Sequence, residues 1–243
     1  MNLVIDMGNT HTKIGCFRNN DLVASETLDS FTSRTAAEWI RKFPVRKCIL
    51  SSVKDPDETD TEFLQHTIPL FINLSHTTPL PFRNLYQTPE LLGKDRIASV
   101  AGAYQSYPDA NVMVIDMGTA ITYDLITREA DYLGGNISPG LVARFRALHA
   151  FTSRLPLLDK DELSTDLGTD TRSAIITGVQ NGILYEITGY IDHFSMQYPD
   201  LKIILTGGDA DFFVNKLKRA IFVVPTLVLN GLNFILNYNA KKI

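Results

Sequence analysis

Val4-Ile5-Asp6-Met7-Gly8 and Val114-Ile115-Asp116-Met117-Gly118 are the same five residues, VIDMG, written twice in one chain. Ordinary residue usage produces such a coincidence on the order of a few times in a hundred chains of this length. Each copy ends a short apolar run and opens a polar turn: NLVIDMGNTHTK at 2–13 and VMVIDMGTAIT at 112–122. An apolar run that stops at Asp-x-Gly reads as a buried strand followed by a turn. The repetition points to an internal duplication, and the flanking pattern tests it.

After the first copy, HTKIGCF (11–17) alternates, RNND (18–21) is a turn cluster, and LVASETL (22–28) reads as a third strand. TSRTAAEWIRKF (32–43) follows with a Thr or Ser cap and Ala37, Ile40 and Phe43 on one helical face. KCILSSV (47–53) is a strand, ETDTEFLQHTI (58–68) a helix and LFINL (70–74) a strand. SHTTPLPFRNLYQTPE (75–90) is a proline-rich loop, and GKDRIASVAGAYQSY (93–107) a helix entered through Gly93.

The second copy restarts this order. VMVID, AITYDLI (120–126) and DYLGG (131–135) read as strands, with a glycine turn following the last. LVARFRALHAF (141–151) is a helix, and 171–198 a long helical pattern whose Gly178, Gly182 and Gly189 suggest close packing or a bend. KIILTGG (202–208), DFFVNKL (211–217), IFVVP (221–225) and TLVLNGLNFILNY (226–238) close the chain as strand, helix, strand, helix. The expected architecture is α/β, with two domains at 1–112 and 113–243, each a mixed central sheet flanked by helices.

The 243 residues carry a net charge of −4 and are 44% hydrophobic, as expected for a globular chain with a substantial core. The acidic balance argues against nucleic acid as the main partner. No apolar run approaches the length of a membrane span, and no signal segment is evident, so a cytoplasmic location is expected. Cys16 and Cys48 lack metal-ligand spacing and read as two buried thiols.

The turns carry the chemistry. Gly8 and Gly118 let a ligand approach the backbone, and successive N–H groups in such a turn make a concavity for anions. Asn9, Thr10 and Thr12 add donors, and Lys13 a positive charge. Asp6 is suited to hold a hydrated divalent cation. One Asp-x-Gly is equally well a plain β-turn; two at equivalent positions suggest a phosphate clamp. LTGGDA (205–210) and LGGNISPG (133–140) add glycine pairs, the first suited to a flat base or ribose. Neither matches the P-loop or GxGxxG patterns. GKDR (93–96) places Asp95 and Arg96 at a helix start, where Asp95 is either a first-turn carboxylate favoured by the dipole or a proton acceptor.

Together, DMGNT, GKDR, DMGTAIT, GGNISPG and TGGDA, in this order, resemble the actin-like ATPase and sugar kinase superfamily, with its duplicated ribonuclease H-like fold. More narrowly they resemble type III pantothenate kinase, along almost the whole chain. The resemblance implies transfer of the γ-phosphoryl of ATP to pantothenate, the first step of coenzyme A synthesis. It implies ATP contacts along Asp6, Met7, Gly8, Asn9, Thr10, His11, Thr12 and Lys13 and at Thr119. It implies pantothenate contacts at Tyr86, Gly93, Lys94, Asp95, Arg96 and Thr171, with Asp95 as proton acceptor. It further implies Mg2+ at Asp6, a monovalent cation (potassium or ammonium) at Asp116, and a homodimer in which the partner chain completes the substrate site. A regulator that uses nucleotide as a switch, or a kinase for another small hydroxylated acceptor, remains the alternative.

Overall fold

The computed structural model describes residues 1–53, 57–161 and 165–242. Its strands are β1 (Asn2–Met7), β2 (Thr12–Arg18), β3 (Asp21–Leu28), β4 (Lys47–Ser52), β5 (Leu70–Asn73), β6 (Arg83–Asn84), β7 (Val112–Met117), β8 (Ala120–Ile126), β9 (Asp131–Pro139), β10 (Lys202–Thr206) and β11 (Phe222–Val223). Its helices are α1 (Ser33–Lys42), α2 (Glu58–Thr67), α3 (Lys94–Ser106), α4 (Leu141–Ala150), α5 (Thr171–Gln197), α6 (Ala210–Val214) and α7 (Leu227–Ala240). The expected element order is therefore present in both halves.

The chain packs into two compact units. One comprises 1–109, 125–134 and 226–243; the other comprises 110–124 and 135–225. The first crossing, at 109/110, falls beside the expected 112/113, but the chain crosses again at 124/125, 134/135 and 225/226. The last crossing takes α7 out of the segment expected at 113–243. Its reason is packing, since α7 lies against α3, β1 and β4 of the first unit.

In the first unit the sheet order is β3-β2-β1-β4-β5. β1, β2 and β3 form an antiparallel meander, and β4 and β5 add in parallel. Inward positions of these strands bury Leu3, Ile5, Ile14, Cys16, Cys48 and Leu50 against Trp39 of α1 and Leu64 of α2. Thr32 caps α1 by accepting from the Thr35 N–H, and Asp57 caps α2 through the Thr59 N–H at 2.9 Å. Both cysteines are buried and free, and burial pushes each thiol up. Asn2 of β1 donates to Asn233 at 2.7 Å and to Asn237 at 2.9 Å, a polar tie between the first strand and α7.

In the second unit the strands run β11-β10-β7-β8-β9, with β10 parallel to β7 and to β11. Residues 125–134, the far end of the β8–β9 hairpin, belong to the first unit, where β6 pairs in parallel with β9. Arg83 and Asp131 lock that register with paired contacts of 2.5 and 2.6 Å. The proline-rich loop thus contains a two-residue strand and a short 3₁₀ turn at Pro89–Leu91.

Two further expectations are corrected. Gly134 and Gly135 lie inside β9 rather than in a turn after it. Gly134 sits at φ +106°, with a Tyr86 ring carbon 3.2 Å from where its Cβ would be, so the glycine serves close packing within the sheet. On α5, a Cβ at Gly178 or Gly189 would meet nothing within 4 Å among the described residues, so the close-packing half of the expectation is not met there. Ile175, Ile183 and Ile187, by contrast, are core residues. Among the described residues no helix is long and apolar enough to cross a membrane.

Candidate active site

The first turn is built by the β1–β2 hairpin. Asp6 pairs with Lys13 and Met7 with Thr12, and the Gly8 N–H donates to the His11 carbonyl at 3.0 Å. That register leaves Asn9, Thr10 and His11 exposed at the tip, buries Thr12, and half-buries Lys13. His11 lies 3.5 Å from Asp29.

Parallel pairing of β1 with β4 sets Ser51 beside Asp6, and the Ser51 hydroxyl donates to the Asp6 carboxylate at 3.1 Å. Asp6 is 8% exposed. Burial, and next the negative charge of Asp95, push its carboxyl up to about 6; the Ser51 hydrogen bond and Lys13 oppose the rise. Asp6 near the end of β1, with the negative charge of Asp95 of α3 acting on it, has the chemistry to take a divalent cation. The donor set is sparse, since the described residues contain no group of three His, Cys, Asp or Glu arranged for a metal.

Asp95 stands in the first turn of α3, and its carboxylate accepts from the Arg96 N–H at 2.8 Å. A Cβ at Gly93 would come within 2.5 Å of this carboxylate, so the glycine of GKDR leaves the room that Asp95 occupies. Arg96 is buried, its guanidinium 5.5 Å from the centre of the Tyr86 ring. Tyr86 in turn stacks on buried Tyr132, with the rings 6.4 Å apart and 9° from parallel. The first unit therefore gathers Asp6, Lys13, Ser51 and Asp95, and beside Arg96 the Tyr86–Tyr132 stack.

The second unit holds the other candidate residues. Asp116 is half-buried at the end of β7, in register with Thr206 of β10. Thr119 is exposed in the tight β7–β8 turn, where the Gly118 N–H donates to the Ala120 carbonyl. Gly140 presses on that turn and donates to the Thr119 carbonyl at 3.1 Å. Gly207 takes φ +95° against the Met117 backbone, a place no side chain fits, while space beside Gly208 is open. The TGGDA turn thus lies against the second Asp-x-Gly strand with one bare face.

Thr171 opens α5, whose cap is a capping box between Asp170 and Ser173. It lines an open groove of about 890 Å³ with Ala147, Leu148, Phe151, Ile175 and Val179. Arg144, at the edge of this groove, joins a polar cluster: its guanidinium meets Glu186 at 2.5 Å, and Tyr123 and Ser138 donate to the same carboxylate at 2.7 and 2.5 Å.

Sequence reasoning missed Ser51, Tyr132 and the Arg144–Glu186 pair. Two small polar residues ending the apolar strand KCILSS were the signal for Ser51. The other residues acquire their roles from pairings far apart in the chain.

Comparison with known proteins identifies the family. A model of the family described as type III pantothenate kinase matches residues 2–193. The chain is 46% identical over 244 residues to a type III pantothenate kinase of Bacteroides fragilis, and 45% identical over 246 residues to one of Christiangramia forsetii, with 100% of each chain covered in both cases. Among solved structures it resembles a Campylobacter jejuni protein described as a Baf family transcriptional activator, at TM-score 0.65 and 27% identity, covering 98% of this chain and 99% of that one. A glucokinase from an Antarctic psychrotroph, 12% identical at TM-score 0.54 with 98% of each chain covered, shares the fold. The duplicated VIDMG turns therefore belong to an actin-like kinase fold, and the chain belongs to the type III pantothenate kinase family.

Proposed function

We propose that the chain transfers the γ-phosphoryl group of ATP to the hydroxyl of pantothenate, giving 4′-phosphopantothenate for coenzyme A synthesis. The observation that carries the reading is the placement of Asp6 and Asp95 within one unit, close enough that the charge of Asp95 helps to raise the Asp6 carboxyl. One carboxylate is needed for a cation and phosphates, the other for the acceptor. A nucleotide switch has no use for the second.

In this reading the backbone from Asp6 to Lys13, with the Asn9, Thr10 and His11 side chains, receives the ATP phosphates, and Thr119 makes a further contact. Mg2+ held at Asp6, when bound, would neutralise charge on the β- and γ-phosphates. The pantothenate hydroxyl oxygen bonds to the γ-phosphorus, the bond to the β-phosphate oxygen breaks, ADP leaves, and Asp95 accepts the hydroxyl proton. Gly93, Lys94, Arg96 and Tyr86 hold the acceptor. Arg96, fixed over Tyr86, supplies positive charge for the pantothenate carboxylate. Asp116 offers a hard oxygen for potassium or ammonium.

The groove at α4 and α5 supports a homodimer. Phe151 is 89% exposed and the lining is apolar, which suits a second copy of the same face. Thr171 lies at this groove and is a further candidate contact for the acceptor. The protein acts in the cytoplasm, without nucleic acid or membrane partners.

The regulator reading is favoured by one observation, the description of the Campylobacter jejuni relative as a transcriptional activator. A coupled ADP-release assay, run with and without pantothenate and potassium, separates the two. Turnover that requires pantothenate and rises with potassium supports the kinase. ATP binding without pantothenate-dependent turnover would overturn it.

A further inference from the structure

Lys160 and Asp161, which precede α5, contact the glycine turn of TGGDA and the body of α5 respectively. Lys160 reaches Asp209, the last polar residue of the turn, at 3.0 Å, and lies 5.6 Å from the centre of the Phe212 ring. The next residue, Asp161, is fixed through its backbone. Its N–H donates to the Gln180 side-chain carbonyl at 3.0 Å, and its own carbonyl accepts from the Gln180 amide at 3.0 Å. Gln180 is 2% exposed on α5, so this amide pair is a built, buried contact rather than a surface accident. The Asp161 carboxylate meets Arg172 at 2.6 Å, one residue beyond Thr171. On the far side, the Asp209 N–H donates to the Met117 carbonyl at 3.1 Å, at the mouth of the second Asp-x-Gly turn. A continuous run of contacts, all within the second unit, thus joins Arg172, Asp161, Lys160, Asp209 and Met117.

We propose that Lys160 and Asp161 form a strap in which Lys160 is a positioning residue, fixing the glycine turn for the nucleotide and linking it to the helix end that carries Thr171. The inference rests on the kinase reading for what the two ends bind. Gly207 and Gly208 leave the turn without side chains to define its shape, so an external tether must hold it. Lys160 is that tether on one side, and the Met117 carbonyl on the other. The same strap makes the order of the turn depend on the start of α5.

The test uses the full chain and four variants: Lys160→Met, Lys160→Arg, Arg172→Met and the Lys160→Met/Arg172→Met pair. Steady-state constants for ATP and pantothenate, the ADP dissociation constant by calorimetry, and thermal midpoints are measured for each. Loss of a half-exposed ion pair and a cation–ring contact predicts a rise of about 3- to 10-fold in the ATP KM and ADP Kd of Lys160→Met, with kcat within about twofold. Lys160→Arg retains wild-type values, since it keeps both contacts. Arg172→Met weakens nucleotide binding in the same direction although it never touches the turn, and adds nothing in the Lys160→Met background. Unchanged ADP binding in folded Lys160→Met, or additive effects in the pair, would overturn the strap. Absence of pantothenate-dependent turnover in the wild type overturns the kinase reading instead, and the ADP titrations still judge the strap.

Discussion

Replacing Asp6 by asparagine should stabilise the ligand-free protein while abolishing its activity. Asp6 carries a carboxyl raised from 3.8 to about 6 by burial and by Asp95. The native state therefore holds this proton more tightly than the unfolded chain does. A raised carboxyl contributes stability that is fully present below the unfolded value and is lost as pH rises through the native value. For Asp6 the loss runs from about pH 4 to about pH 6.5. A difference of about 2 units corresponds to about 3 kcal/mol at most. The substituted amide has nearly the same shape and keeps an oxygen for the Ser51 hydroxyl, which now reaches Asp6 at 3.1 Å. Its second group is an N–H donor in place of a carboxylate oxygen, which reduces the gain. The expected advantage of Asp6→Asn at pH 7.5 is about 1–3 kcal/mol, or about 4–8 °C in thermal midpoint for a 2 kcal/mol gain, and it fades to near zero at pH 4.5. Thermal and urea unfolding of both proteins at pH 4.5, 6.0 and 7.5 measures this directly. An Asp6→Asn variant that is no more stable at pH 7.5, or whose advantage does not change with pH, would refute the charge-repulsion argument.

Gly93→Ala should fold with a near-normal thermal midpoint yet lose most of its kcat, because the new methyl group would displace an Asp95 carboxylate 2.5 Å away; steady-state kinetics check this, and unchanged kcat would contradict it. Gly207→Ala should cost more than about 2 kcal/mol in urea unfolding, since φ +95° is strained for alanine and its Cβ would strike the Met117 backbone. Glu186→Gln should remove a pH-dependent part of the stability. Despite the opposing effect of burial, hydrogen bonds from Ser138, Arg144 and Tyr123 hold the Glu186 carboxyl below its usual 4.5. Its contribution is present above that value and lost as pH falls through the native one, so the gap between wild type and variant should narrow on acidification. A gap that widens instead would refute this assignment.

How far the chain could be read from its letters follows from what each feature depends on. Local patterns were readable: the apolar run into Asp-x-Gly, the alternation of HTKIGCF, and the cap before α1 each depend on a few neighbouring residues. β6 was not, because two residues in a proline-rich loop become a strand only through Asp131 and Tyr132 of β9. The glycine pair of LGGNISPG looked like a turn because glycine usually is one. In the fold Gly134 instead makes room for Tyr86 across the sheet. The place of α7 in the first unit was also hidden, since its sequence records an apolar helix but not the surface that receives it. At the site, Asp6, Gly8, Asp95 and Arg96 announced themselves by motif, whereas Ser51 and Tyr132 matter only through neighbours brought in by β4 and β9.

In the proposed reaction Asp95 receives the proton of the acceptor hydroxyl while Asp6 and its turn handle ATP. The most direct measurement is a paired one on Asp95→Asn: calorimetric binding of ATP and of pantothenate, and pantothenate-dependent ADP release, each beside the wild type. Both ligands should bind with dissociation constants close to wild type while turnover falls by about 10²-fold or more. Turnover close to wild type would contradict this division of labour between the two carboxylates.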